Sequence, residues 1–215
     1  KKVVNPYTPF TPVIPPRFVG RKKILKQLSE YLKKDVSVSI VGDRRIGKSS
    51  LLLTWKEKVE KDGNRTVVLV SGEEAEAASV SLFVNRITGK LADDDPDAAA
   101  NILSAWGDNE KSEKKDPPLI LVDEAETIIK NFPPRFFERV RGMMGRVIWI
   151  FVSSIKIDKM YKKHHNVTSP FDNRLNLIRI SLIEPESAEK IIQMANPTKE
   201  ESDLMREWAG RHPFY

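Results

Sequence analysis

Residues 36–59 read VSVSIVGDRRIGKSSLLLTWKEKV, and they restrict the chain to a narrow set of folds. Val36, Val38 and Ile40 alternate with polar residues, the period-2 pattern of a short strand. SSLLLTWKEKV is apolar on one side and polar on the other, as a helix requires. Between them Gly42, Asp43, Arg44, Arg45, Ile46, Gly47, Lys48 and Ser49 match G-x-x-x-x-G-K-[ST], in the strand–loop–helix context where that motif cradles phosphate. Two glycines let the backbone curl until successive N–H groups converge on an anion. The helix starting near Lys48 adds the positive end of its dipole. Lys48 is expected to reach the β- and γ-phosphates as a point charge, and the Ser49 hydroxyl to ligate Mg²⁺. Ser50 completes the candidate nucleotide-binding set. Arg44 and Arg45 are expected to face outward, with a hold on a phosphate or on the N-terminal segment left open. The bland alternative, a chance match in a turn, does not account for the correct flanks.

A second apolar run, Leu119 to Val122, ends in Asp123 and Glu124. It reads as a buried parallel strand whose C-terminal end reaches the ligand edge of an α/β sheet. Asp123 is then placed to hold the ion through a water while Ser49 binds it directly. Glu124 is placed to orient and polarise the attacking water. Taken alone, the two acids could equally cap the next helix; with a phosphate loop in the same sheet, both signals point to one site.

Further strands are expected at Thr66–Val70, Val147–Val152 and Leu177–Leu182, an amphipathic helix at residues 22–34, and helices at Val80–Leu91, Pro134–Met144, Pro185–Met194 and Lys199–Ala209. Asp95–Pro96 suits an N-cap followed by the first helical residue. Residues 107–118 (GDNEKSEKKDPP) read as a charged loop, and 155–173 as a basic, irregular stretch. Strands alternating with helices imply an α/β fold: a doubly wound, parallel, five-stranded sheet with the start of a helical lid. The expected organisation is a Pro-rich extended strap over 1–17, a core over 18–183, and the beginning of a lid domain over 184–215. Tyr7, Phe10 and Ile14 give the strap something to bury.

The 215 residues contain no Cys, which excludes disulfides, thiol catalysis and cysteine metal sites. His164 and His165, being adjacent, cannot share a helix face, so no zinc site is expected. No apolar run is long enough to span a membrane and no leader pattern opens the chain, so a cytoplasmic location is expected. The chain opens on Lys1 and closes on Tyr215 in mid-pattern, so it is expected to be a module whose partners include the rest of a larger chain. The net charge of +6 permits DNA contact without demanding it, since a nucleotide site needs positive charge of its own.

The order of these segments, with a glutamate beside the strand-ending aspartate, resembles the additional-strand, catalytic-glutamate division of P-loop NTPases. More narrowly, FVGRKKILKQL, GDRRIGKSSLL, IRISLIEPESAEKII and WAGRHPFY resemble the AAA-like STAND ATPases of prokaryotes, relatives of the Cdc6/Orc-like and AAA+ ATPases. The resemblance runs from about Asn5 to Tyr215. It implies that Phe18 and Val19 lie against adenine, that Arg21 helps hold the nucleotide, and that Pro213 packs on the base from the lid. It also implies that the pair Ser153-Ser154 ending the fourth strand lies at sensor 1, with Ser153 touching the γ-phosphate or lytic water. Arg174 stands where AAA+ ATPases often keep an arginine finger for a neighbouring copy; a surface salt bridge is the other reading. Arg211 departs from the pattern, which has Gly there. The implied activity is Mg²⁺-dependent ATP hydrolysis, slow or conditional in an isolated module. The implied role is an ATP/ADP-controlled switch in a larger signalling or defence protein, with self-association. The alternative is a DNA-handling AAA+ ATPase of the origin-loading or transposition-regulator type.

Overall fold

The computed structural model describes residues 7, 8 and 10–214; Pro6 and Pro9 of the strap and Tyr215 of the closing motif lie outside the described residues. After a helix α1 (Lys22–Leu32) come β1 (Val38–Gly42), α2 (Lys48–Asp62), β2 (Val67–Ser71), α3 (Val80–Thr88), α4 (Pro96–Lys114), β3 (Leu119–Asp123), α5 (Glu126–Asn131), α6 (Pro134–Met143), β4 (Ile148–Ser153), α7 (Ile157–His165), β5 (Asn176–Ile180), α8 (Pro185–Gln193) and α9 (Lys199–Ala209). The strands form one sheet in the order β2-β3-β4-β1-β5, and every pairing is parallel.

Alternate residues of each buried strand serve opposite faces. Ile120, Val122, Trp149 and Phe151 pack with α3 to α7. Leu119, Leu121, Ile148, Ile150 and Val152 pack with Leu28 of α1 and with Leu51, Leu52, Trp55 and Val59 of α2. Helices thus cover both faces, which is why these strands read as unbroken apolar runs.

Along the chain, β2 separates the phosphate-loop strand from the Asp123 strand. In space β4 does so: Val38 pairs with Ile150, and Val122 with Phe151. The end of β4 therefore opens between the loop after β1 and the acids after β3.

Three expectations need correction. Residues 107–118 are not a loop, because α4 runs on to Lys114. Leu103 and Trp106 anchor it, and Gly107 has no side chain to collide with Val147, where a Cβ would meet Cγ2. Nor is 155–173 irregular throughout: Ile157, Met160 and Tyr161 are buried at i, i+3 and i+4 and make α7 a helix. The strap does not bury its apolar residues as expected. Phe10 is 84% exposed and meets the edge of the Phe214 ring at 5.9 Å, and Ile14 is also exposed. Tyr7 instead donates its hydroxyl to the Ile192 carbonyl of α8 at 2.9 Å.

Candidate nucleotide site

A cleft of about 940 Å³ opens at the C-terminal edge of the sheet. The strap, the segment Phe18–Arg21, the loop Arg44–Ser50, the acids after β3 and the segment Gly210–Phe214 all line it. This is the edge at which parallel α/β sheets gather ligands.

The loop earns its shape at particular positions. Arg45 (φ 63°) and Gly47 (φ 91°) take the left-handed conformation, and Gly42 does not. The curl expected of both glycines therefore belongs to Gly47, as N-cap of α2, together with Arg45. Gly42 serves packing: a Cβ there would lie 2.8 Å from the Ile180 carbonyl oxygen of β5. Lys48 donates to the carbonyl oxygens of Gly42 (2.9 Å) and Asp43 (2.8 Å). Burial lowers the pKa of its ammonium, and Glu126, Asp123, Glu124 and Asp43 pull it back up.

The Ser49 hydroxyl lies close enough to the Asp123 carboxylate to favour its charged form, and the Glu124 N–H donates to Asp123 Oδ1 at 3.0 Å. Burial raises the Asp123 pKa against these two groups and the Lys48 charge. Glu124 is raised by burial and by the neighbouring Glu73, Asp123 and Glu126. A hydroxyl and a carboxylate side by side are hard oxygen donors of the kind Mg²⁺ takes, so these residues fit that ion. The backbone of Glu124 is left-handed, φ 49°, an outlier of the kind found at functional turns.

Glu126, Glu73 and Gly72 escaped the sequence reading, and of the pair Ser153-Ser154 it is the second that reaches the cleft. Glu126, in the first turn of α5, accepts bonds from the N–H and hydroxyl of Ser154. Ser154 lines the cleft; the expected Ser153 does not, being wholly buried with its hydroxyl donated to the Ile155 carbonyl at 2.7 Å. Glu73 faces the same cleft. Gly72 donates its N–H to the Asp123 carbonyl at 2.8 Å, and a Cβ on it would run into the Glu124 carbonyl oxygen. The spacing Asp123-Glu124-x-Glu126 was a visible signal; the contact of Gly72 with a strand 50 residues on was not.

Arg21 is 4% exposed and its guanidinium donates to the carbonyls of Ile46 (3.1 Å) and Leu182 (3.3 Å). Its backbone N–H donates to Glu184 at 3.2 Å. It thereby joins the phosphate loop to the segment between β5 and α8. Pro213 packs over the loop, 3.8 Å from a Cβ built on Gly47. The Arg45 guanidinium lies 4.3 Å over the Phe214 ring, and Ser50 accepts the Val13 N–H of the strap at 3.0 Å. Arg44 is exposed at the cleft rim. Arg174, on a 3₁₀ turn before β5, is exposed and away from the cleft.

The sheet order and this loop define the fold of a P-loop ATPase, and comparison with solved structures agrees. The chain is similar to the Walker-type ATPase paby2304 of Pyrococcus abyssi (TM-score 0.69, 14% identity, 95% of this chain and 67% of that one). It is similar to the ORC2 protein of Aeropyrum pernix solved as ADPNP–ADP complexes (0.65, 17%, 85% and 53%), and to AMPPCP-bound DnaA of Aquifex aeolicus (0.57, 18%, 86% and 55%). It spans about half the length of the last two. These are AAA+-type P-loop ATPases, and the likeness at such identities is one of fold. No family model and no curated protein matches the sequence.

Proposed function

We propose that the chain is a Mg²⁺-dependent ATPase module that works as a nucleotide-controlled switch in a larger signalling or defence protein. The observation that carries this reading is the convergence on one cleft of the phosphate loop, the acids after β3, the strap and the Gly210–Phe214 segment. In this reading the loop amides and Lys48 bind the phosphates. Ser49 and Asp123 would hold Mg²⁺, which would supply positive charge to neutralise the phosphate oxygens. Glu124 takes the proton of the attacking water; its raised pKa suits a general base. Ser154, held by Glu126, fits the sensor position better than Ser153, because its hydroxyl is at the cleft.

Phe18, Val19 and Pro213 cover the base. Arg21 supports the nucleotide indirectly, by fixing the loop carbonyl at Ile46 and the lid at Leu182. Exchange of ADP for ATP then alters the packing of strap and lid, the two-state element such a switch needs. Self-association follows from this change, and Arg174, exposed and outside its own cleft, is available to a second copy. Glu124→Gln tests the assignment. The variant is expected to bind ATP as wild type does and to lose hydrolysis, because an amide cannot accept the proton. Hydrolysis at the wild-type rate would remove Glu124 from the mechanism.

A further inference from the structure

We propose that Phe10, Phe214 and Arg45 form a latch across the mouth of the cleft, and that this latch sets the rate at which nucleotide enters and leaves. The inference rests on reading the cleft as the nucleotide site, and adds a gate to it.

The strap is tied down at two points. The Tyr7 hydroxyl donates to the Ile192 carbonyl of α8 at 2.9 Å. The Val13 N–H donates to the Ser50 hydroxyl, in the first turn of α2, at 3.0 Å. Both anchors lie at the cleft, and Thr8, Phe10 and Pro12 between them line it. The strap therefore crosses from one wall, α8, to another, the start of α2. The segment Gly210–Phe214 closes in from the C-terminal side. The Ile183 N–H donates to the Arg211 carbonyl at 3.1 Å, and Pro213 packs over Gly47 of the phosphate loop.

Phe10 and Phe214 join these two pieces. Their rings meet edge-on, with centroids 5.9 Å apart and planes at 77°, a geometry that the ring quadrupoles favour. From the phosphate loop the Arg45 guanidinium reaches within 4.3 Å of the Phe214 centroid, inside cation–π range. Arg45 holds a left-handed backbone to do so, φ 63°, which residues with a Cβ avoid. Three stretches far apart in the chain thus meet on one ring. Phe10 is 84% exposed and Arg45 is exposed, so the contact lies on the solvent side of the cleft. Ring and cation contacts at exposed sites are weak. They break often, as a gate requires, where a buried contact would make a fixed wall.

A gate differs from a ligand contact in its kinetics. The latch groups bind one another, so the latch closes equally well over a filled and an unfilled cleft. Loosening it raises entry and exit by the same factor and leaves the equilibrium alone. A lost contact to the nucleotide would raise exit and leave entry nearly unchanged.

The test is stopped-flow fluorescence of mant-labelled ADP with Mg²⁺, following association on mixing and dissociation in a chase with excess ADP. Phe214→Ala breaks both contacts and should raise both rate constants on the order of tenfold, with Kd as in wild type. Phe10→Ala breaks one and should raise both by roughly threefold. Phe10 is exposed and can be replaced without threat to the fold, so this variant decides the matter if Phe214→Ala is unstable. Arg45→Ala, made in the Phe214→Ala background, should raise dissociation no further, because its partner is gone. The latch is overturned if the single variants keep wild-type rate constants, or if Arg45→Ala adds a further rise in dissociation. It is also overturned if dissociation alone rises, which would put the Phe214 ring against the nucleotide. Failure of the wild type to take up mant-ADP at all would instead remove the nucleotide site, and the latch with it.

Discussion

Glu124 and Asp123 sit in an arrangement that the fold holds against its own preferences. A left-handed backbone costs a residue with a Cβ about 1–2 kcal/mol, and Glu124 adopts it at φ 49°. The turn is held from behind by Gly72, whose N–H bonds the Asp123 carbonyl and whose bare Cα touches the Glu124 carbonyl. Gly72→Ala would push that carbonyl away and tilt the Glu124 side chain. A displacement of about 1 Å at a catalytic group costs up to about 100-fold in rate. We expect kcat to fall on this scale while the Kd for ADP, set by the loop, stays close to wild type; single-turnover hydrolysis and equilibrium binding measure the two separately. Asp123 makes the complementary case. Burial raises its pKa, so the folded protein disfavours the carboxylate. That destabilising contribution is absent below the unfolded-state pKa and appears as pH rises through the folded-state value. Asp123→Asn should therefore raise the melting temperature without nucleotide at pH 7, and abolish the extra stabilisation that Mg²⁺ adds to ADP.

At the scale of elements, what the sequence made legible followed from how local its cause was. Strands β3 and β4 stood out because burial on both faces leaves the apolar runs Leu119–Val122 and Ile148–Val152, and β1 because its apolar residues alternate. The phosphate loop and Asp123–Glu124 stood out because each is contiguous, and the α4 start because Asp95 caps it, accepting the Ala98 N–H at 2.7 Å. The rest depends on partners far along the chain. The second half of α4 carries GDNEKSEK, polar enough for a loop, and is a helix because Gly107 lies flush on Val147. Ser154 rather than Ser153 faces the cleft because of the β4 register and its bonds to Glu126. The carbonyl partners of Arg21, Ile46 and Leu182, are 25 and 161 residues away and leave no local mark in the sequence. Gly107→Ala tests the packing account. Alanine is the better helix former by about 1 kcal/mol, but the methyl meets a fully buried, branched Val147. Overpacking of about 1–3 kcal/mol should leave a net loss in a urea melt, and a gain in stability would mean that the contact is slack.

On the scale of the molecule, the cleft joins segments that the chain keeps far apart. Tyr7 is bonded to α8, Val13 to Ser50, Phe10 touches Phe214, and Arg45 lies over that ring. A ligand seated there touches the strap, the sheet edge and the segment Gly210–Phe214 together, so binding should be felt by the whole fold. A ligand that binds only the native state adds about 2.7 kcal/mol at a hundredfold excess over its Kd. For a domain of this size about 1 kcal/mol moves the melting temperature by roughly 2–4 °C. ADP with Mg²⁺ at that excess should therefore raise the melting temperature by roughly 5–10 °C. Lys48→Ala should remove most of the shift, since it deletes the charge at the phosphates. Pro213→Ala should remove only part of it, about 1 kcal/mol of apolar contact, and should do so equally for ADP and ATP because Pro213 is assigned to the base. Differential scanning calorimetry of the three proteins with each nucleotide distinguishes these outcomes. A Pro213→Ala variant that loses ATP but keeps ADP would place Pro213 at the γ-phosphate instead, and the lid would then read the phosphate rather than the base.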